Sequence, residues 1–320
     1  MQKNHFLLAT LALLGTSAAF AQSSVTLYGR INTSVERVKI GGQSTSGVYN
    51  NASRFGFKGQ EDLGGGLKAG FQLESGFDSS DGTAASRFFG RQAEVNLSGN
   101  FGLVRLGTFF AESYYAVADY GVLDQPNHET GHISDKLYSY GMRDTNKIAY
   151  RTPTFSNLWL EGAVSAHEQT TGGDYAYDLA ANWESGPLAL GAGYTKLGDY
   201  NDFGLRGQYT FGAFQIGAYY QRADDDTVGG KGKRDAARVT GQYAFGASEL
   251  VAGFGWAGKW DNRPDSNARQ YILGYNYNLS KRTKLYGAYT KVDNKAGADY
   301  ATSIAGADFS TFVLGLRHDF

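Results

Sequence analysis

The chain of 320 residues contains no cysteine. Neither a disulfide framework nor a thiolate metal centre is therefore possible. Nor is there an excess of charge of one sign: 30 Lys and Arg stand against 31 Asp and Glu, net −1. That balance argues against a nucleic-acid partner, which calls for a basic surplus. Also missing, beyond the first twenty or so residues, is any apolar run near the roughly 18 residues that a membrane-spanning helix needs. Aliphatic content is low as well. With a mean hydropathy of −0.38, a soluble globular core of this length would be thinly supplied.

What is abundant is of another kind: 44 Gly, 22 Tyr and 20 Phe, against 4 Pro and 2 Met. Aromatic and β-branched residues favour strands, and glycine punctuates turns. A sheet closed around water needs only one apolar face, and this composition suits it. The N-terminus carries Lys3, the short apolar stretch FLLATLALLG and the small-x-small Ala19–Ala21. These have the order of a secretory leader, expected to be cut after residue 21. Residues 22–320 would then form one domain.

From Ser24 onward, segments of about ten residues alternate in character. In FGLRGQYTF, Phe203, Leu205, Tyr209 and Phe211 oppose Arg206, Gln208 and Thr210. YAYDLAANWES sets Tyr175, Tyr177, Leu179, Ala181 and Trp183 against Asp178, Asn182 and Glu184. QYILGYNYNL sets Tyr271, Leu273, Tyr275, Tyr277 and Leu279 against Gln270, Asn276 and Asn278. Period two with opposite chemistries on its faces is a strand between an apolar and an aqueous medium. Connectors also alternate. Tight turns at 63–66, 98–102, 185–187, 211–213, 245–248 and 279–282 interleave with longer, more charged loops at 38–50, 78–86, 110–144, 169–174, 224–234, 261–267 and 293–307. The pattern predicts sixteen antiparallel strands in a transmembrane β-barrel, short turns at one rim and long loops at the other. Tyr209, Phe211, Phe214, Tyr243, Phe245, Trp256 and Trp260 are expected in interfacial girdles. The last strand, TFVLGLRHDF at 311–320, must pair with the first, residues 25–37, or two unpaired edges would face lipid.

Three stretches carry a resemblance: SSVTLYGRIN after the leader, SRFGFKGQEDLGGGLKAGFQLESGF at 53–77, and GRQAEVNLSGNFGLVRLGT at 90–108, with GLRHDF at the end. They resemble the Gram-negative trimeric general-diffusion porins of the beta-proteobacterial type. The resemblance implies an outer-membrane homotrimer amid lipid and lipopolysaccharide, with the third extracellular loop folded inward. It also implies passive diffusion of small hydrophilic solutes and inorganic ions, with no cofactor and no turnover.

On that resemblance, 110–144 is the inward loop. It holds six acids against Lys136 and Arg143; Asp119, Asp124, Glu129 and Asp135 are the candidates to face the pore. Arg54, Arg91 and Arg143 match the family's wall arginines, and Arg105 stands near an expected arginine replaced by Thr108. Lys68, Glu74, Arg206 and Arg238 are expected to line the lumen. Carboxylates and guanidinium groups held apart across a narrow wet gap would orient dipolar solutes. One conflict is built in: Arg91 shares parity with Ala93, Val95 and Leu97, which alternation points outward, so a bulge near Gly90 or a subunit interface is required. Wall arginines favour anions and loop acids favour cations, which leaves charge selectivity open. Weaker patterns carry little. Asp224–Asp226 lacks spaced calcium ligands, and GGKGKRD at 229–235 lacks the strand-to-helix context of a phosphate loop. His128 and His132 lack a third zinc ligand. An adhesin or hydrolase barrel, and a soluble β-sandwich, are the competing classes.

Overall fold

The computed structural model describes residues 24–119, 131–168 and 173–320. Its strand segments are β1 (Ser24–Ile40), β2 (Gln43–Asn50), β3 (Arg54–Gly64), β4 (Leu67–Gly76), β5 (Gln92–Gly99), β6 (Gly102–Thr108), β7 (Lys147–Arg151), β8 (Leu158–Ser165) and β9 (Ala176–Ser185). They continue as β10 (Leu188–Leu197), β11 (Tyr200–Phe211), β12 (Phe214–Asp225), β13 (Gly232–Phe245), β14 (Ser248–Ala257), β15 (Ala268–Asn278), β16 (Thr283–Asn294) and β17 (Phe309–Asp319). Each pairs antiparallel with its neighbours, and β1 pairs with β17 from Arg30↔Asp319 to Ile40↔Phe309, so the sheet closes.

The seventeen segments make sixteen staves, because β2 and β3 are two parts of one interrupted strand. Along β1 the partner register passes from Arg30↔Arg54 to Thr33↔Asn50, one extra residue on the partner side. Ala52 absorbs it at φ 53°. The ladder survives the bulge because the Asn51 amide donates to the Asn32 carbonyl at 2.8 Å, and the Asn32 amide to Ser53 Oγ at 3.0 Å.

The alternation decides which face is wet. On β1, Val25, Leu27, Ile31 and Val35 are exposed on the outside, whereas Asn32, Ser34 and Glu36 are buried inside. An outer surface of Leu, Val, Phe and Tyr recurs around the ring, which only an apolar medium can satisfy. At the short-turn rim the rings of Tyr209, Phe211, Phe214, Tyr243 and Phe245 stack in sequence at centroid spacings of 4.4–6.2 Å, the expected girdle. Trp260 is not part of it. It lies in the connection between β14 and β15, 6% exposed, its ring under the Arg234 guanidinium, because a cation inside the barrel offers the indole a better partner than the interface does.

The long-loop rim also departs from expectation at 38–50. That segment is not a loop. β1 and β2 pair through Ile40↔Gln43 and turn on Gly41-Gly42 alone. Its polar residues are those of a hairpin rising past the apolar belt, where both faces are wet.

Closure involves the final residue. The Phe320 amide donates to the Gly29 carbonyl at 3.0 Å, and the Gly29 amide to the Phe320 carbonyl at 3.1 Å. The Phe320 ring occupies the space a side chain at residue 29 would need: a Cβ there would lie 2.4 Å from it. His318 points outward near the short-turn rim, and its Nδ1 is 2.9 Å from Thr283 Oγ1.

Candidate functional site

Residues 109–146 join β6 to β7, and the described parts, 109–119 and 131–146, lie against the inner wall of the barrel. The inward limb forms one helical turn, α1 (Glu112–Tyr114), continuing as a π-turn over Tyr115–Asp119. It is seated on the inner wall of β9, β10 and β11. Glycine makes the seat: a Cβ at Gly191 would stand 1.9 Å from the Ala116 carbonyl oxygen, and one at Gly193 2.5 Å from that of Ser113. Asp178 on β9 accepts the Ser113 amide at 3.3 Å and its hydroxyl as well.

The return limb is described from Gly131 and is held by wall side chains that imitate a backbone. Gln270 Oε1 accepts the Lys136 amide at 2.9 Å while its Nε2 donates to the Ser134 carbonyl at 2.8 Å. Gln221 repeats the arrangement on Ser139, at 2.9 and 2.7 Å. Both glutamines are 0% exposed, so these bonds are the return limb's substitute for a strand partner. Arg234 Nη2 donates to the Leu137 carbonyl at 2.7 Å. Ile133 packs among Ile272, Tyr286, Ala288 and Val313, and Leu137 among Val38, Ala236, Val292 and Phe309. Near the start of the limb His132 Nδ1 lies 2.7 Å from Glu36 Oε2. Burial lowers the Lys136 pKa, opposed by Asp135 and Glu36, and its ammonium turns back onto the Gly131 carbonyl at 2.7 Å. Burial likewise raises the Tyr138 and Tyr140 hydroxyls above their ordinary range.

A row of charged side chains runs across the inner wall from β17 and β1 to β3, β4 and the start of β5. There Arg91 Nε meets Glu74 Oε1 at 2.6 Å, and Arg54 Nε is 3.7 Å from the same oxygen. Arg30 is the register partner of Arg54 and binds Asp319 at 2.7 Å, which Arg317 also approaches at 3.2 Å. Among the described residues, this row thus gathers four guanidinium groups about two carboxylates. A second row sets two guanidinium groups among three carboxylates: Arg105 bridges Glu94 (2.6 Å) and Glu161 (3.4 Å), and Arg151 bridges Glu161 (2.7 Å) and Glu112 of the loop (2.7 Å). Arg105 stacks on Phe109 and Arg151 on Trp159, each 4.0 Å from the ring centroid.

The structure brings Arg54, Arg91, Arg105 and Glu74 together on this wall. The Arg91 parity conflict resolves as a bulge. The Arg91 amide bonds the Glu74 carbonyl at 3.3 Å although Gln92 is Glu74's register partner, so two residues face one and the side chain is turned inward. Arg143 is not in the group. It donates to the Asp174 and Ala166 carbonyls at 2.8 and 3.3 Å, because it lies at the rim where the neighbouring loop offers unpaired carbonyls. Asp135 also departs from expectation: it faces the wall behind the loop, 3.5 Å from Arg238, and accepts the Tyr219 hydroxyl. Arg238 and Arg206 point inward as expected, but the loop covers both, leaving them 3% and 4% exposed. Lys68 is exposed on the inward parity of Glu74, near the short-turn rim. Of Asp119 only the backbone is described, and Asp124, Glu129 and the leader 1–21 lie outside the described residues. Arg30, Glu94, Arg151, Glu161, Arg317, Gln221 and Gln270 are additions; their inward parity was visible in the sequence, but not what each faces.

A family model described as Gram-negative porin matches residues 8–297. The chain is similar to outer membrane porin protein 32 of Delftia acidovorans, 34% identical over 371 aligned positions covering 100% of both chains. It is also similar to an outer membrane porin protein of Bordetella pertussis, 30% identical with 98% and 99% covered. Among solved structures, an anion-selective porin from Comamonas acidovorans superposes with a TM-score of 0.76 at 28% identity, covering 93% of this chain and 100% of that one. The trimer form of OmpT from Vibrio cholerae, TM-score 0.69 at 18% identity with 93% and 99% covered, shares the fold.

Proposed function

The chain belongs to the Gram-negative porin family, and from that premise we propose that its passage is anion-preferring, set by the wall row Arg30, Arg54, Arg91 and Arg317 facing the inward loop. As an outer-membrane porin it is a channel for passive diffusion and not an enzyme. The observation that carries the proposal is the gathering, among the described residues, of four fixed cations about the carboxylates of Glu74 and Asp319. Guanidinium groups keep their charge at any physiological pH. The second row, with Arg105 and Arg151 among Glu94, Glu161 and Glu112, carries no cationic excess and serves to hold the loop through Glu112. The loop acids Asp119, Asp124 and Glu129 would act from the far side of the gap, whereas Asp135 anchors the loop. The similarity to an anion-selective porin supports the same sign. We further propose removal of residues 1–21 and assembly of 22–320 as a homotrimer in lipid and lipopolysaccharide, passing small hydrophilic solutes and inorganic ions.

Reversal potential in planar bilayers under a salt gradient tests the sign. Wild type should favour chloride over potassium, and Arg54→Ala with Arg91→Ala should bring the permeability ratio toward unity or below. The preference should also shrink between 0.1 M and 1 M salt, as the screening length falls from about 10 Å to about 3 Å. A ratio that the double substitution leaves unmoved would falsify the assignment.

A further inference from the structure

Away from the arginine wall, near the long-loop rim, a cavity of about 230 Å³ opens between the return limb at Tyr138–Tyr140 and the three connections after β12, β14 and β16. Its lining carries Lys231, Arg234 and Arg263 against one carboxylate, Asp299. Arg234 is 4% exposed, bonded through Nη1 to the Tyr300 hydroxyl and through Nη2 to the Leu137 carbonyl, each at 2.7 Å. Its Nε is buried and has no partner, a donor that no protein acceptor meets. Trp260 floors the site: the Arg234 guanidinium lies 4.7 Å and the Lys231 ammonium 5.5 Å from its ring centroid. Lys231 and Arg234 are two of the three cations of GGKGKRD, which as sequence lacks the setting of a phosphate loop; here they converge by a hairpin instead, while Lys233 pairs with Asp224 at 3.6 Å.

We propose that this cavity is a binding station for small oxyanions, phosphate or a carboxylate, on the route to the arginine wall. Three cations on the lining, Lys231, Arg234 and Arg263, select charge and hydrogen-bond acceptors. The small volume excludes large solutes, and the indole keeps the cations in place when the site is empty. This reading rests on the channel function but not on the sign of selection at Arg54 and Arg91.

The test is saturation. Single-channel chloride current in lipopolysaccharide-free phosphatidylcholine bilayers is measured as inorganic phosphate is added at constant ionic strength. A saturable decrease is expected, with a matching change in tryptophan fluorescence in detergent that Trp260→Phe abolishes. Lys231→Ala with Arg263→Ala should raise the half-saturating phosphate about tenfold or more, and Lys231→Arg should restore part of the loss. Circular dichroism checks that each variant retains its barrel. Arg54→Ala with Arg91→Ala should shift reversal potential yet leave the phosphate half-point in place, which separates the two proposals. A linear phosphate response in wild type overturns the station, as does an unchanged half-point in the double variant. An effect that needs added lipopolysaccharide also overturns it, since the cations would then be reading lipid headgroups.

Discussion

Gly29 shows how much one side chain can decide. Its neighbours on the outer face, the Phe320 ring and the Arg54 carbonyl oxygen, lie 2.4 and 2.6 Å from where a Cβ would sit. Gly29→Ala should therefore destabilise the closing seam by about 1–3 kcal/mol, the cost of overpacking, measurable as a lower urea midpoint for the barrel refolded in detergent. Wild-type stability in that variant would mean that Phe320 packs elsewhere. The arginines show the opposite case, where geometry rather than space decides. Arg54 and Arg105 alternate with residues of known facing, so their inward direction follows from the sequence. Arg91 breaks parity, and only the Glu74 carbonyl shared by residues 91 and 92 explains its direction.

At the scale of elements, the strands were legible and the seat of the inward loop was not. A strand's alternation is local, since each residue's neighbours two away reveal its face. The loop's partners are remote: Gln221 and Gln270 are separated by 82 and 134 residues from the backbone groups they bind. Nothing about an inward-parity glutamine distinguishes a rivet from a wetted wall residue. The glycines at 191 and 193 likewise read as ordinary strand glycines until the limb lies on them. Replacing Gln221 with Ala strands a loop amide and a loop carbonyl, at about 1–3 kcal/mol. Single channels of Gln221→Ala and Gln270→Ala should be noisier than wild type, with a higher mean conductance as the limb leaves the wall. Quiet channels of normal conductance would assign the loop's position to its apolar contacts at Ile133 and Leu137.

At the scale of the whole molecule, the outer face is apolar all round while the lumen wall is charged and hydrogen-bonded, so the protein divides two solvents. Insertion into a planar bilayer should raise conductance in steps of three, the signature of a trimer whose lumens open together; unit steps would point to monomers. The clasp between Phe320 and Gly29 also sets a condition. Because β1 pairs with β17, any piece of the chain that lacks β17 leaves two raw edges. An open sheet of that kind exposes unpaired amides to lipid, so the barrel closes as a whole or not at all.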